Sequence, residues 1–328
     1  MSDGAPPRLV VVGSLNLDRV SEVVALPQPG ETVLAVRSSS SLGGKGANQA
    51  VCAARHDVPV AMVGCVGGDR DGAELVSSLA AEGVDTSGVR VRAACPTGAA
   101  YVTVAADGEN CIVVAAGANG ELTPADVRSA LSRLRPGDVV LIQLEIPIGA
   151  AIAAAGAGAA AGARVILNPA PAQPLPAELV RGVDVLVPNL NELVALTGGG
   201  GGDLLAEAPA RANALAGDRS VIVTLGEHGA LVVDRGEQTR VPAPRVEAID
   251  TTAAGDAFCG SLASELLHGR PLLHAARVAV QVGALATTRR GALSGLPLRS
   301  EIADVIARSE GGQVAGPSPR ASRRTVAR

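Results

Sequence analysis

Short runs of apolar, β-branched residues alternate along the chain with alanine- and leucine-rich stretches, and this alternation limits the fold more than any other feature. "VAMVGCVG" at 60–67 predicts a buried strand, and "GAELVSSLAAEG" at 72–83 predicts the helix that follows it. Further strands of this kind are predicted at 138–145, 164–170, 184–189 and 220–226. Strands that are apolar on both faces and separated by helices are typical of a parallel sheet covered on both sides. We therefore expect a doubly wound α/β fold, with a mostly parallel sheet and helices on both faces.

Two stretches interrupt this alternation. Residues 32–38, "TVLAVRS", and residues 97–116 are predicted to be extended. The second stretch is predicted to be a hairpin that turns at Asp107 and Gly108. Because both stretches lie between α/β units, they predict a small β-sheet attached to the core as a lid.

Charge and cysteine content exclude several classes of protein. The formal net charge is −4 and the basic residues form no stripe before the last few positions, so we expect neither a nucleic-acid partner nor a membrane surface. The five cysteines are widely scattered without a CxxC pair, and the start "MSDGAPPRLV" does not resemble a secretory signal, which together predict reduced thiols in the cytoplasm. Residues 146–163 are uncharged, but they are mainly alanine and glycine, so we expect a buried crossover helix rather than a membrane span.

The stretch "DTTAAGDAFCG" at 250–260 predicts an anion site. Three small residues, Ala253, Ala254 and Gly255, precede Asp256 at the predicted start of an apolar helix. The amides of a first helical turn have no partner inside the helix and carry the positive end of its dipole, so they bind anions such as phosphate. A carboxylate beside such a site can accept the proton of a hydroxyl that attacks phosphorus. Alternatively, Asp256 is only a favourable residue for a helix start.

A second glycine-rich turn, "GGKGANQA" at 43–50, also precedes a predicted helix. It lacks the spacing of a P-loop, and no GxGxxG motif follows the first strand, so dinucleotide binding is disfavoured. Alone, this turn is a weak indication of function.

Nine motifs in a constant order resemble the PfkB family of sugar kinases, and within it the ribokinase branch. They are "GSLNLD" at 13–18, "PGETV" at 29–33, "GGKGANQA" at 43–50, "AAGAN" at 115–119, "QLE" at 143–145, "NPAPA" at 168–172, "PNLNE" at 188–192, "VTLGEHG" at 223–229 and "DTTAAGDAF" at 250–258. The resemblance implies a ribokinase-like domain over 9–308, with a β-lid formed by about 16–42 and 97–116. Residues 309–328 are predicted to be a disordered basic tail.

The resemblance implies ATP-dependent transfer of a phosphoryl group to the 5-hydroxyl of ribose. It assigns Asp256 as the base and the amides from Ala253 through Ala254 and Gly255 as the anion hole. The matching substrate positions are Asn16, Asp18, Gly44, Lys45, Asn48, Glu145 and Asp256. Such carboxylates and amides suit a polyol, because a missing hydroxyl would leave a buried polar group unpaired. Alternatively, Asn16 and Asp18 form turns, and Glu145 ends a strand.

The resemblance also implies sites for the nucleotide and two cations. The nucleotide positions are Asn189, Thr224, Leu225, Gly226, Glu227, His228, Gly229, Gly255 and Val280. Asn189 and Glu192 are implied to help place Mg²⁺, usually through water, although N-x-x-E is also a capping box. The positions for K⁺ or another monovalent cation are Asp250, Thr252, Ala286, Arg289, Gly291 and Gly295. Gly295 departs from the family, which commonly has serine there, and Val280 stands where a polar side chain is frequent.

Several acceptors stay open at this stage. With one Phe, one Tyr and no Trp, the chain lacks the aromatic residues expected to clamp a nucleoside, so adenosine is disfavoured. The alternatives to ribose are 2-deoxyribose, fructose and other small sugars, or a non-catalytic sugar or nucleotide sensor on the same fold. The expected partners are a small sugar and ATP, and the resemblance implies a homodimer through the lid.

Overall fold

The computed structural model describes residues 6–199 and 202–310, and its main feature is a nine-stranded sheet. The thirteen strands, in chain order, are β1 (Leu9–Val12), β2 (Asn16–Glu22), β3 (Arg37–Gly43), β4 (Val60–Gly67), β5 (Asp85–Arg92), β6 (Gly98–Val104), β7 (Asn110–Ala115), β8 (Val139–Ile142), β9 (Arg164–Leu167), β10 (Val185–Leu186), β11 (Ser220–Thr224), β12 (Ala230–Asp234) and β13 (Glu237–Val241). The large sheet has the order β13-β12-β11-β10-β9-β8-β1-β4-β5. Its pairs are parallel except β11–β12 and β12–β13. This arrangement confirms the predicted fold class.

Ten α-helices cover the two faces of this sheet. They are α1 (Lys45–Ala54), α2 (Arg70–Ala81), α3 (Pro124–Ala130), α4 (Ile148–Ala161), α5 (Ala177–Arg181), α6 (Leu190–Thr197), α7 (Leu204–Ala216), α8 (Ala254–Leu267), α9 (Leu272–Ala286) and α10 (Arg299–Glu310). Helices α1, α2 and α8–α10 pack in one hydrophobic cluster, and α3–α7 pack in the other.

The side chains of β1 show why its run of apolar residues is continuous. Leu9 and Val11 belong to the first cluster, whereas Val10 and Val12 belong to the second. Successive side chains of a strand point to opposite faces, so a strand buried on both sides needs apolar residues at every position.

A separate four-stranded sheet has the order β3-β2-β6-β7. Strands β6 and β7 form the predicted antiparallel hairpin, in which Gly108 has a positive φ of 90°. The predicted strand at 32–38 was misplaced along the sequence, because β3 begins only at Arg37 and continues through a series of serines. Those serines pair with β2 along an exposed sheet, where apolar alternation is not required and gives no signal.

The remaining boundary predictions have mixed outcomes. The stretch 146–163 contains α4, the crossover helix between the parallel strands β8 and β9. In the described part of the chain, no helix is long and apolar enough to span a membrane. The predicted tail begins too early, since Ser309 and Glu310 complete α10, and its remainder, 311–328, lies outside the described residues.

Candidate active site

Polar side chains collect at the carboxyl ends of the central strands. Gln143 and Glu145 follow β8, Asn168 follows β9, and Asn189 follows β10. In open α/β sheets, ligands bind outside this edge. The start of α8 reaches the same place, because Asp256 is hydrogen-bonded to α1 and, through it, to Asn168.

The start of α8 has the form of an open anion site. Its N-cap residue, Ala253, adopts the left-handed conformation with φ 58°, which is uncommon for a residue other than glycine. The amides of Ala254, Gly255 and Asp256 belong to the first turn, and among the described residues only that of Ala254 donates to a backbone carbonyl, Thr251 O at 3.3 Å. A Cβ atom placed on Gly255 would have no other residue within 4 Å, so the space beside these amides is open.

Two consecutive amide side chains of α1 hold the Asp256 carboxylate. Asn48 Nδ2 donates to Asp256 Oδ2 at 2.9 Å, and Gln49 Nε2 donates to Asp256 Oδ1 at 2.9 Å. Burial raises the pKa of the Asp256 carboxyl, although Lys45 and the two amide donors act in the opposite direction. A carboxylate with a raised pKa beside an anion site suits proton abstraction. Asp256 is also the third residue of α8, a favourable place for an acidic side chain. Its position is therefore compatible both with a role as proton acceptor and with a role at the helix start.

Glu145 is the centre of a second polar cluster. Its Oε2 atom accepts a hydrogen bond from Ser14 Oγ at 2.6 Å and longer contacts from Asn16 Nδ2 at 3.4 Å and the Lys45 amide at 3.5 Å. Asn119 orients Asn16, since its Nδ2 donates to Asn16 Oδ1 at 2.7 Å. The structure therefore brings the predicted substrate positions Asn16, Lys45 and Glu145 together.

The glycine-rich turn makes this close packing possible. Gly44, the N-cap of α1, has a φ of 93°, and a Cβ there would lie 2.7 Å from the Asn16 nitrogen. A Cβ on Gly43 would overlap the Asp18 carboxylate. Residues with side chains at these two positions would therefore displace β2 and its polar groups.

Three carboxylates share this site with one lysine. Burial, together with Glu145 and Asp256, raises the pKa of Asp18 to about 7. Burial alone would lower the pKa of Lys45, but Asp256 and Glu145 outweigh it and raise the pKa above its usual value. Lys45 therefore stays charged, whereas Asp18 titrates near neutral pH.

The predicted nucleotide positions adjoin this site on the side of β10 and β11. Asn189 and Glu192 form a complete capping box at the start of α6, with Asn189 N donating to Glu192 Oε2 at 2.8 Å. Burial raises the pKa of Glu192; Asp256 raises it further, whereas Lys45 lowers it. Thr224 forms a bridge to Asn189 and begins the turn that continues to Gly229. Val280, by contrast, is buried in the core on α9.

Most of the predicted monovalent-cation positions lie close together. Asp250 Oδ1 accepts from the amide and hydroxyl of Thr252, and Asp250 Oδ2 accepts from the Gly291 amide at 2.9 Å. These bonds lower the pKa of Asp250 against the effect of burial, so it is a carboxylate at neutral pH. A Cβ on Gly295 would lie 3.5 Å from the carbonyl oxygen of Arg289. Ala286 ends α9 one residue before Thr287, whose carbonyl accepts from the Asp250 amide.

Sequence reasoning missed five buried polar residues that support the site. They are Ser14, Gln49, Asn119, Gln143 and Asn168. Each falls inside a motif quoted for the family resemblance, and a polar residue next to an apolar strand end was the available signal. Within the described ranges, no group of three or more His, Cys, Asp or Glu side chains is arranged to hold a metal ion.

Comparisons with known proteins agree with this geometry. Residues 6–299 match the pfkB family carbohydrate kinase. The ribokinase of Haemophilus influenzae is 37% identical over 301 residues, which cover 91% of this chain and 98% of that protein. The deoxyribokinase of Salmonella typhi is 34% identical over 305 residues, covering 92% and 99%. The structure of Arabidopsis thaliana ribokinase complexed with ribose and ATP is 33% identical and superposes with a TM-score of 0.80, covering 92% of this chain and 99% of that one.

Proposed function

Because the chain belongs to the pfkB family of carbohydrate kinases, we propose that it transfers the γ-phosphoryl group of ATP to the 5-hydroxyl of ribose. It is a phosphotransferase with an alcohol group as acceptor. The ribokinase from Haemophilus influenzae and the Arabidopsis thaliana complex with ribose and ATP support this acceptor and this donor. The observation that carries the proposal is the position of Asp256, which is buried beside the open first turn of α8 and faces the polyol-compatible cluster around Glu145.

In the proposed reaction, the 5-hydroxyl oxygen attacks the γ-phosphorus, and the bond from that phosphorus to the bridging oxygen of ADP breaks. The hydroxyl proton passes to the Asp256 carboxylate. The amides from Ala253 to Asp256 stabilise the charge on the transferring group, because fixed donors in a water-poor site need no reorganisation during the reaction. Proton transfer is late in a loose transition state, so the main task of Asp256 is to orient the hydroxyl.

Asn16, Asp18, Lys45, Asn48 and Glu145 are proposed to bind the sugar. Asn48 Oδ1 supports this role, because it is buried and has no hydrogen-bond partner in the described part of the chain. A buried acceptor without a donor costs about 1–3 kcal/mol. A sugar hydroxyl would satisfy it.

Mg²⁺ bound with ATP would neutralise charge on the phosphate oxygens. Glu192 fits such an ion, since its carboxylate is buried and, within residues 6–199 and 202–310, only Oε2 accepts a hydrogen bond, from Asn189. Mg²⁺ commonly keeps several waters and takes one or two carboxylates in addition to phosphate oxygens. Asn189 and Glu192 are therefore proposed to hold it indirectly, and the turn from Thr224 to Gly229 is proposed to contact the nucleotide.

A monovalent cation, K⁺ in the first instance, is proposed at Asp250 and the surrounding backbone. The donors there are oxygens, which suit a hard cation. Serine at position 295 would place a hydroxyl beside the Arg289 carbonyl without overlap, since the added Cβ keeps an ordinary contact distance. Gly295→Ser should therefore strengthen stabilisation by K⁺ relative to Na⁺ in thermal unfolding. An unchanged difference between the two salts would argue against a cation at this position.

A homodimer through the lid is proposed from the exposed edge of the small sheet. Strand β7 is one of the two edge strands of this sheet and is exposed along its whole length, including Ile112, Val113 and Val114. An apolar edge with unpaired backbone groups is a site where strands from another copy pair. Light scattering at assay concentration tests this, and a monomer would refute it.

A cytoplasmic location is also proposed, supported by the use of ATP and by five free thiols in the described residues.

The deciding experiment is ADP release with ribose, 2-deoxyribose, fructose or adenosine as acceptor, in the presence of Mg²⁺ and with K⁺ added or omitted. The highest kcat/KM is expected with ribose. Because a deoxyribokinase is also a relative, the ratio between ribose and 2-deoxyribose is the critical number. A preference for another sugar would keep the kinase reaction and overturn the acceptor. ATP binding without turnover on any acceptor would instead favour the sensor alternative, which no present observation supports.

A further inference from the structure

Gln49 is a fully buried glutamine that contacts the proposed base. Each of its side-chain polar atoms has a partner within the protein. Its Nε2 donates to Asp256 Oδ1 at 2.9 Å and to Asn168 Oδ1 at 3.3 Å, and its Oε1 accepts from Gln143 Nε2 at 2.6 Å. Its neighbour Asn48 differs, because Asn48 keeps a buried oxygen without a partner among the described residues.

The orientation of the Gln49 amide is set by the sheet. Gln143 directly follows β8 and donates to Gln49 Oε1, so the Gln49 NH₂ group must face Asp256. Gln143 is held close by Gly13, where any Cβ would overlap its side chain. Asn168 directly follows β9 and donates to the Val187 carbonyl at 2.9 Å. Residues at the ends of the neighbouring strands β8 and β9 therefore fix the Gln49 side chain that donates to Asp256.

We propose that Gln49 is a positioning residue for phosphoryl transfer, which fixes one oxygen of the Asp256 carboxylate so that the other oxygen meets the acceptor hydroxyl. This inference rests on the function proposed above. Without Gln49, only Asn48 would hold the carboxylate, and Asn48 is itself proposed to bind the sugar. A single hydrogen bond would leave the carboxylate free to rotate about it.

The same hydrogen bond favours the ionised form of the base. Burial raises the pKa of Asp256, and the bond from Gln49 opposes this because it stabilises the charged carboxylate. Loss of the donor must raise the pKa further. Since the base acts when deprotonated, the acid side of the kcat profile must move to higher pH.

The test compares Gln49→Glu and Gln49→Leu with the wild type. Gln49→Glu has nearly the same shape and can still accept from Gln143, but it places a carboxylate instead of a donor against Asp256. Gln281→Glu, the same change at a half-buried position of α9, is the matched control. Each variant is measured for kcat, for sugar and ATP KM, and for kcat against pH.

We expect kcat at pH 7 to fall about 10- to 100-fold in both Gln49 variants, as small misplacements of catalytic groups do. The two KM values should stay within about threefold, because the ground-state contacts are kept. The acid limb should move up by roughly one pH unit. Identical pH profiles for the wild type and the Gln49 variants would overturn the proposal. So would parallel losses of kcat, ligand binding and melting temperature, which would leave Gln49 a structural residue.

A readout without turnover separates this inference from the function itself. The Asp256 carboxyl carbon is titrated by NMR in protein with labelled aspartate and identified by its loss in Asp256→Asn. A higher midpoint in Gln49→Leu supports the positioning bond even if no panel sugar is phosphorylated, and an unchanged midpoint contradicts it. Wild-type inactivity on every acceptor would refute only the proposed function.

Discussion

Affinity for the sugar should depend on pH through Asp18, a carboxylate of the site whose pKa lies near neutrality. Burial, then Glu145 and Asp256, raises this pKa to about 7, and Lys45 only partly opposes them. No donor among the described residues bonds to the Asp18 carboxylate. We therefore expect it to accept from sugar hydroxyls, and only its ionised form can accept with both oxygens.

The size of the effect follows from the titration. With a pKa of about 7, roughly one-eleventh of Asp18 is ionised at pH 6 and roughly ten-elevenths at pH 8. Apparent affinity scales with the competent fraction, so the Kd for ribose should be about tenfold higher at pH 6 than at pH 8. This corresponds to about 1.4 kcal/mol.

Calorimetric titration of ribose without nucleotide, between pH 5.5 and 8.5, measures this directly. Asp18→Asn is the matched control, because it keeps the shape and removes the titration. It should bind more weakly at pH 8 and lose most of the pH dependence. A wild-type Kd constant within twofold between pH 6 and 8 would refute the reasoning, as would an Asp18→Asn slope equal to that of the wild type.

Three other perturbations give separate outcomes. Asp256→Asn should lower kcat by roughly 100-fold or more with ATP affinity nearly unchanged; near wild-type turnover would remove it as the base. Asn189→Ala and Thr123→Ala each break a capping box and should each cost about 1 kcal/mol in urea unfolding, but only Asn189→Ala should lower kcat/KM for MgATP. Equal kinetics would make Asn189 a cap alone. Burial lowers the pKa of His56, so its proton uptake favours unfolding and stability should fall as pH drops below about 6.5. Glu265 and His268 act on His56, His274 acts on Glu265 in turn, and His56→Gln should flatten this slope between pH 7 and 5.

Elements whose stability is local could be predicted from the sequence. Strand β4 has the predicted bounds, 60–67, because a strand buried on both faces shows its apolar character in every residue. The start of α8 near Asp256 and the cap at Asn189 were also visible, since small residues and N-x-x-E spacing act within one helical turn. Strand β3 was misplaced because its serines pair along an exposed lid and carry no apolar pattern.

The contacts around the base had no such local signal. Gln49 and Asp256 are 207 residues apart, and Gln49 and Asn168 are 119 apart. No periodicity links such positions. The motif that contains Gln49 was recognised, but nothing in it indicated that this side chain contacts Asp256.

The sequence by itself therefore determined the α/β architecture, the helix starts and, through its motifs, the family of sugar kinases. Only the tertiary structure decided that α1 and α8 meet above the strand ends, that two amides hold opposite oxygens of Asp256, and that Asp18 titrates near pH 7. The physical reason is range. Apolar burial and helix capping act between residues close in sequence, whereas hydrogen-bond geometry, desolvation and charge coupling depend on side chains that only folding brings within a few ångströms.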